Sequence, residues 1–332
     1  MKPLVRVEDL VQEFKVNQGF LDSLKWKDKK LVREKKAVHA VNKVSFDIYP
    51  GEAFSLVGES GCGKSTTAKT IIRLLNPVSG HIYYDGEDIS RLKSEKMLPY
   101  RKKMQMIFQD PYASLDPQKT IKSIIMEPML FHKVVADKKE AEEKCMELLK
   151  KVGLRPEQAT RYPHQFSGGQ RQRIGIARAL AVEPEFIIAD EPVSALDVSI
   201  QAQILNLMMD LKDEYGFSYL FIAHDLSVVR HISDRLGVMY LGTIVEMGTK
   251  RDVFEHVAHP YTKLLFSAVP TVGEEPIVPP MKMEGEIPNP INLPQGCVFH
   301  DRCPYCKEIC KTVRPEFKEL EPGHQVACHL FD

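Results

Sequence analysis

A glycine-rich segment near the start of the chain limits the possible folds more than any other feature of the sequence. It runs Gly58-Glu-Ser-Gly-Cys-Gly-Lys64-Ser65, after the apolar segment 53–57 and before a helical pattern at 64–75. A strand, a glycine loop and a helix in this order turn backbone N–H groups and a helix N-terminus toward a phosphate. The segment predicts a nucleotide-binding α/β fold whose phosphate site contains Gly58, Glu59, Ser60, Gly61, Cys62, Gly63, Lys64, Ser65 and Thr66.

Two carboxylates end a second apolar strand, Phe186-Ile-Ile-Ala-Asp190-Glu191. Asp190 is placed to hold Mg²⁺, directly or through water, together with the Ser65 hydroxyl. Glu191 follows where a general base or a water-positioning group is needed. A simple Asp-Glu pair at a helix N-terminus is the alternative, and the phosphate loop disfavours it.

A second glycine motif, Phe166-Ser-Gly-Gly-Gln170, precedes the basic run Arg171-Gln-Arg173. It also suits a helix N-terminus aimed at a phosphate. The first loop already cradles a triphosphate, so one nucleotide site has no obvious use for both motifs. The pair predicts an active site that is completed only when two such chains meet.

The remaining pattern alternates strands and helices. Strand-like segments occupy 4–10, 38–48 and 218–223, and helical patterns occupy 140–152, 199–214 and a short stretch after Asp225. This β-α-β rhythm predicts a mostly parallel sheet covered by helices.

The motifs occur in an order that resembles the nucleotide-binding subunit of an ATP-binding-cassette (ABC) transporter. After the phosphate loop come Gln109, the Ser-Gly-Gly-Gln segment, Asp190-Glu191, Ser194-Ala-Leu-Asp197 and His224. The resemblance covers roughly residues 1–250. It implies an α/β P-loop NTPase cassette over 1–255, with a RecA-like mixed sheet core, an antiparallel β subdomain and a helical subdomain at about 111–182.

The resemblance also implies roles for single residues around ATP and Mg²⁺. Gln109 is expected to contact Mg²⁺ and the attacking water. His224 is expected to reach the γ-phosphate and to hold Glu191. Phe14 matches the aromatic residue that stacks on adenine, with a plain core phenylalanine as the alternative.

The second glycine motif gains a role in the same way. The family binds the γ-phosphate held by the opposite subunit with the residues that correspond here to Ser167, Gly168, Gly169 and Gln170. Asp197 is expected at the same interface. Two ATP molecules would then lie between two cassettes, and hydrolysis would release the dimer.

Longer segments narrow the resemblance to the ATPases of oligopeptide/dipeptide importers: 108–117, 162–173, 259–270 and 285–297. Gln109-Asp-Pro-Tyr112 is similar to the F-type paralogue of the two ATPases in these importers. The resemblance implies a second, paralogous ATPase subunit, two permease subunits and an extracytoplasmic peptide-binding protein. Pairing as a homodimer in isolation stays open, as do a nickel or other small-solute importer and a soluble ABC ATPase outside transport.

Five of the seven cysteines lie in the last 36 residues, which favours a metal or cluster site over disulfides in a cytosolic chain. The resemblance assigns Cys297, Cys303, Cys310 and Cys328 to a [4Fe-4S] cluster in a C-terminal extension over 256–332. Structural zinc is the alternative, because Cys306 creates a Cys-Pro-Tyr-Cys pair with Cys303. Seven prolines at 270–294 predict an extended connector before the cysteines.

Charge and hydropathy argue against two other classes of protein: those held on nucleic acid by bulk charge, and those with a membrane span or a signal peptide. Lys+Arg and Asp+Glu both number 45, which argues against binding nucleic acid by bulk charge. No apolar run reaches the roughly 18 residues of a membrane span, and the N-terminus has no signal-peptide core. We expect a cytoplasmic protein that lies peripherally on the inner face of the cell membrane. The basic segment Lys25–Lys36 predicts a solvated hairpin insertion, with a partner or anionic lipid as the alternative contact.

Overall fold

The computed structural model describes residues 1–16, 36–267, 278–279, 281 and 288–332, and the backbone alone of 24–27 and 30–33. They form two compact units. The first unit comprises Met1–Leu4, Ile48–Leu56 and Arg91–Arg235, and the second comprises Val5–Asp47, Val57–Ser90 and Leu236–Asp332. These boundaries differ from the predicted domains, and the division at residue 255 stays a prediction.

The strands in the described residues are β1 Val5–Lys15, β2 Leu24–Lys27, β3 Lys30–Arg33, β4 Ala37–Ile48, β5 Ala53–Val57, β6 Ser79–Tyr84, β7 Glu87–Asp88, β8 Met104–Ile107, β9 Phe186–Asp190, β10 Ser218–Ala223, β11 Arg235–Tyr240, β12 Thr243–Thr249, β13 Lys318–Glu321 and β14 His324–Val326. The helices are α1 Lys64–Ile71, α2 Ser94–Lys103, α3 Ile121–Phe131, α4 Lys138–Lys151, α5 Gly168–Leu180, α6 Val198–Tyr215, α7 Leu226–Ile232, α8 Lys250–Glu255, α9 Pro260–Ser267 and α10 Glu308–Thr312.

The first unit is built on strands in the order β5-β10-β9-β8. β9 runs parallel to β10, with Asp190 opposite Ile222, and parallel to β8, with Ala189 opposite Ile107. Every residue of β9 and β10 is buried, which explains why both strands are continuous apolar runs. Because parallel strands end at the same edge, the residues that follow β8, β9 and β10 meet there.

Helices fill the 121–180 part of the first unit, where α3 packs against α4 and α5. Asp137 caps α4 by accepting hydrogen bonds from the backbone N–H groups of Lys139 and Glu140. One face of α4 is buried through Ala141, Cys145, Leu148 and Leu149, at the spacing of an amphipathic helix. This helical stretch lies within the predicted helical subdomain, whose boundaries stay a prediction.

The second unit contains strands in the order β4-β1-β6-β7, with β1–β6 and β6–β7 antiparallel. It also contains β13-β14-β12-β11, with β14 antiparallel to β12 and to β13. β2 pairs with β3 as an antiparallel hairpin inside the predicted basic insertion. The side chains of that insertion lie outside the described residues, as does most of the predicted proline-rich connector.

Helix α1 ends at Ile71, four residues before the predicted end. Arg73 adopts a left-handed φ of 60°, which stops the helix before Asn76-Pro77. Its guanidinium donates to the Ile89 carbonyl at 2.9 Å and to Asn76 Oδ1 at 2.7 Å. A partly buried arginine with these acceptors fixes the turn, and the helical pattern alone does not reveal it.

Candidate active site

The phosphate loop belongs to the second unit, and its glycines are needed for close backbone approach. Gly63 has a φ of 109°, and a Cβ there would overlap the carbonyl oxygen of Ala40. A Cβ on Gly58, at a φ of 152°, would overlap the carbonyl oxygen of Met239. The loop can therefore lie against β4 and β11 only with glycine at these two positions.

Lys64 begins α1 and is buried within the loop. Its ammonium donates to the carbonyl oxygens of Gly58 at 2.8 Å and Glu59 at 3.0 Å. Cys62 Sγ lies 3.7 Å from the same nitrogen, and burial raises the pKa of the Cys62 thiol. A loop of this shape, with one fixed cation and the start of a helix, suits an anion such as a polyphosphate.

Glu191 and its partners form a cluster in the first unit. Gln109 Nε2 donates to Glu191 Oε2 at 2.8 Å, and His224 Nδ1 lies 3.3 Å from the same oxygen. These three residues follow β8, β9 and β10, so their meeting is a direct result of the strand register. The structure thus brings together the three residues predicted to be catalytic, with His224 in contact with Glu191 as expected.

The backbone of Glu191 is in an uncommon conformation. Its φ is 45°, which for a residue other than glycine costs about 1–3 kcal/mol. The Glu191 N–H donates to the Ile222 carbonyl at 3.0 Å, and Ser194 Oγ donates to the Glu191 carbonyl at 3.1 Å. These bonds and the two side-chain partners hold the carboxylate in one orientation, as a proton acceptor or water-positioning group requires.

Asp190 is the last residue of β9 and is 2% exposed. It belongs to the first unit, and Ser65 belongs to the second. A carboxylate and a hydroxyl are oxygen ligands of the kind that Mg²⁺ prefers. Both residues are therefore chemically suited to the metal role predicted for them.

The second glycine motif begins α5 with a capping box. Ser167 Oγ accepts from the Gln170 N–H at 3.4 Å, and Gln170 Oε1 accepts from the Ser167 N–H at 3.1 Å. A Cβ on Gly169 would lie 2.5 Å from Ile200 Cγ2. The motif is therefore adjacent to the exposed start of α6, where Asp197 is the N-cap. The predicted interface residues share one exposed region of the first unit.

Phe14 lies near the end of β1 and is 40% exposed. The plain core phenylalanine that was the alternative would be buried. An exposed ring is available for stacking on a flat ligand. Its contact with adenine stays a prediction.

The tail cysteines lie near one another in the second unit and are all free thiols. Cys297, Cys310 and Cys328 are buried, and Cys306 is exposed. Burial, reinforced by the neighbouring thiols, raises the pKa of Cys297 to about 12 and the pKa of Cys303 to about 11. Thiols of this kind need a bound cation to become thiolates.

The spacing of donor atoms bears on the zinc alternative. Among the described residues, the group of three metal-ligating atoms within 4.8 Å of one another is Asp252, His256 and Glu321, without a cysteine. Tetrahedral zinc, with Zn–S bonds of about 2.3 Å, would bring its sulfurs to within about 3.8 Å of one another. The thiols are therefore gathered more loosely than a preformed zinc site requires.

Two further residues contact the phosphate loop and were missed by sequence reasoning. Tyr261 Oη accepts from the Glu59 N–H at 2.9 Å. Arg302 donates to both carboxylate oxygens of Glu59, at 3.0 and 3.1 Å. An acidic residue inside an anion-binding loop is the one sequence signal for such a cation, although it does not say which.

Comparison with known families gives two matches along the chain. The ABC transporter family matches residues 41–194. The family described as the C-terminal region of oligopeptide/dipeptide transporters matches residues 245–310. Among the helices in the described residues, none combines the length and apolar content needed to cross a membrane.

Individual proteins are similar over most of the chain. The oligopeptide transport ATP-binding protein AppF of Bacillus subtilis is 57% identical over 89% of this chain and 90% of its own length. The di/tripeptide transport ATP-binding protein DppF of Pseudomonas aeruginosa is 43% identical over 99% of this chain and 98% of its own length. A dimeric structure of the ATP-binding cassette MJ0796, bound to ADP and Pi, has a TM-score of 0.64 at 28% identity and covers 74% of this chain and 99% of that one.

Proposed function

Because this chain belongs to the ATP-binding subunits of the oligopeptide/dipeptide ABC transporters, we propose that it hydrolyses ATP to drive import of di- and oligopeptides through a membrane transporter. The chain has the ABC cassette fold, with mixed α/β sheets. The observation that carries the proposal is the similarity to named peptide-transport ATPases along nearly the whole chain. The Gln109–Glu191–His224 cluster supports hydrolysis as well as binding.

We assign the phosphates of ATP to the loop of the second unit. Backbone N–H groups between Gly58 and Thr66 would bind them, and Lys64 would turn from the loop carbonyls to the β- and γ-phosphates. Ser65, Gln109 and Asp190 would hold Mg²⁺. The metal would neutralise charge on the β- and γ-phosphates during phosphoryl transfer.

Glu191 receives the central role in hydrolysis. Its carboxylate would orient the attacking water and accept its proton. Gln109 and His224, which bind one oxygen of this carboxylate, would keep it directed at the water. His224 would also reach the γ-phosphate.

The signature motif is assigned to a neighbour. Ser167, Gly168, Gly169 and Gln170 would bind the γ-phosphate held by a second, paralogous ATPase subunit, with Asp197 at the same interface. The dimeric MJ0796 cassette supports the pairing of two cassettes. Two permease subunits and an extracytoplasmic peptide-binding protein would complete the transporter, with this chain on the cytoplasmic face of the membrane and without nucleic acid.

The test is Glu191→Gln, which keeps the shape of the side chain and removes its basicity. We expect turnover to fall by about 10²–10⁴-fold, while ATP still binds and produces a stable dimer. Single-turnover hydrolysis and gel filtration with ATP measure both effects. The matched control is Glu183→Gln, an exposed glutamate of the same unit that pairs with Lys144. Normal hydrolysis by Glu191→Gln would contradict the assigned role.

For the tail, we propose that Cys297, Cys303, Cys310 and Cys328 hold a [4Fe-4S] cluster in a C-terminal extension over 256–332. Cys297, Cys310 and Cys328 are buried free thiols, which supports a ligand site at these positions. The cluster would supply a cross-link that fixes the tail. Cys306 is exposed and is left outside the ligand set.

Anaerobic purification tests the cluster. We expect visible charge-transfer absorption, with iron and sulfide bound to the protein. Cys310→Ser should remove the colour. Cys306→Ser is the matched control: Cys306 is exposed and lies three residues after Cys303, and its substitution should leave the colour unchanged. A colourless protein with one zinc ion per chain would refute the assignment.

A further inference from the structure

We propose that Arg302 is a positioning residue for the phosphate loop: it holds the loop through Glu59 and thereby sets the affinity for ATP more than the rate of hydrolysis. This inference rests on the proposed function, in which the loop binds ATP. Glu59, Arg302 and the residues around them all lie in the second unit.

The contact between the two side chains is bidentate. Arg302 Nη1 lies 3.0 Å from Glu59 Oε2, and Arg302 Nη2 lies 3.1 Å from Glu59 Oε1. The side chain of Arg302 is 2% exposed and that of Glu59 is 18% exposed. A planar, bidentate pair removed from water is far more directional than an exposed ion pair.

Other contacts hold the two partners in this geometry. Tyr261 fixes the backbone of Glu59, and Arg302 Nη1 also donates to Tyr240 Oη at 3.3 Å. The guanidinium carbon lies 5.7 Å from the ring centre of Tyr240 and 6.0 Å from that of Phe299. The three aromatic rings of this cluster pack 4.6–5.4 Å apart. The loop is therefore attached to this aromatic cluster at Glu59, the residue that follows its first glycine.

Charge explains why this attachment matters for ATP. Glu59 puts a negative charge into a loop that must receive a polyanion, and Arg302 compensates that charge. Without Arg302, the carboxylate would repel the incoming phosphates and the Glu59 side chain would lose its anchor.

The position of Arg302 is set by the cysteine-bearing tail. It ends a short 3₁₀ turn, His300–Arg302, that lies between Cys297 and Cys303. The His300 N–H donates to the Cys297 carbonyl at 3.2 Å, and the Cys303 N–H donates to the His300 carbonyl at 3.3 Å. The tail segment between Cys297 and Cys303 thus contacts the phosphate loop through the side chain of Arg302.

The experiment compares Arg302→Met, Arg302→Lys, Glu59→Gln and the double variant Arg302→Met/Glu59→Gln in the full-length chain with its partner subunit. Equilibrium binding of a fluorescent ATP analogue gives the affinity, and steady-state hydrolysis gives KM and kcat. We expect Arg302→Met to weaken ATP binding and raise KM on the order of tenfold, with kcat within about twofold of wild type. Arg302→Lys keeps the positive charge without the bidentate geometry, and its KM should lie between those of wild type and Arg302→Met.

The double variant separates charge compensation from a general loss of structure. Removing the Glu59 charge as well should return KM to within about threefold of wild type. Arg314→Met is the matched control, because Arg314 is a partly buried tail arginine whose guanidinium donates to Thr243 Oγ1 at 2.7 Å and to the Asn42 carbonyl at 3.4 Å rather than to Glu59. Its KM should stay at the wild-type value.

Two results would overturn the proposal: an unchanged KM in Arg302→Met, or effects of Arg302→Met and Glu59→Gln that simply add. Wild-type protein and Lys64→Ala distinguish this failure from a failure of the proposed function, since wild type that binds no ATP would refute the function itself.

Discussion

A buried carboxylate, Glu246, joins three parts of the second unit. Its oxygens accept from the N–H groups of Ala258 and His259 and meet His324 Nε2, each at 2.9 Å. Glu246 is 0% exposed and His324 is 1% exposed. The hydrogen bond to Glu246 raises the pKa of His324, and Asp252 and Glu321 add to this. A charged His324 in this place stabilises the folded tail.

The sign of the pH dependence follows from the raised pKa. The stabilisation is fully present below the unfolded pKa of about 6.5 and is lost as the pH rises through the higher folded pKa. His324→Gln should therefore lower the free energy of unfolding more at about pH 6 than at about pH 9. Urea unfolding of variant and wild type at both pH values measures the difference.

His259 gives the opposite trend and must be separated from this effect. Burial lowers the pKa of His259 to about 4, so its contribution is lost as the pH falls from about 6.5 toward that value. The residue is present in wild type and in His324→Gln alike, so its contribution cancels in the comparison. A larger destabilisation by His324→Gln at the higher pH would contradict the charged pair.

Glu191 shows which properties of a single residue can be predicted from the sequence. Its identity as a candidate base follows from the carboxylate at a strand end, and the register of β8, β9 and β10 explains why Gln109 and His224 reach it. Its φ of 45° does not follow from the sequence, because glutamate seldom adopts that conformation. The strain arises from hydrogen bonds to Ile222 and Ser194 that only the folded chain supplies.

Among the elements, buried strands were the most predictable. The strands at 53–57, 186–190 and 218–223 have the predicted bounds, since each is a short apolar run ended by polar or turn residues. Helix α1 was predicted too long because a side-chain contact of Arg73 decides its end. Local sequence patterns predict the bounds of strands that are set by burial. They do not predict helix ends that depend on hydrogen bonds to residues outside the helix.

The start of α5 has two roles that compete for one side chain. Ser167 Oγ caps the helix by accepting from the Gln170 N–H, and the same oxygen is proposed to bind a phosphate across the dimer. Loss of the cap by substitution with alanine typically costs about 0.5–2 kcal/mol. A matched cap control is therefore needed in any test of the second role.

Across the dimer, Ser167→Ala should weaken nucleotide binding at the partner's site more than at this chain's own loop. A photoreactive ATP analogue, followed by separation of the two labelled subunits, measures each occupancy. Thr120→Ala is the matched cap control, because Thr120 is the N-cap of α3 and its Oγ1 accepts from the Ser123 N–H at 3.4 Å. Equal losses in both subunits would contradict the division of labour.

At the scale of the whole molecule, the motifs could be identified from the sequence, but the division into two compact units could not. The family resemblance predicts a division at residue 255, which stays a prediction, and the compact units group residues 236–332 with 57–90. Glu59 was assigned to the phosphates by its place in the motif, and Arg302 was not singled out at all. A contact between two segments so far apart carries no local pattern that a sequence reader could detect.

The same separation has a consequence for how the protein is made. Glu59 and Arg302 are 243 positions apart. A ribosome adds about 5–20 residues per second, so roughly 12–50 s pass between synthesis of the loop and synthesis of its clamp. Every nascent chain thus passes through a period in which the loop exists and its charge is uncompensated. On the role proposed for Arg302, tight ATP binding begins only after residue 302 has been synthesised.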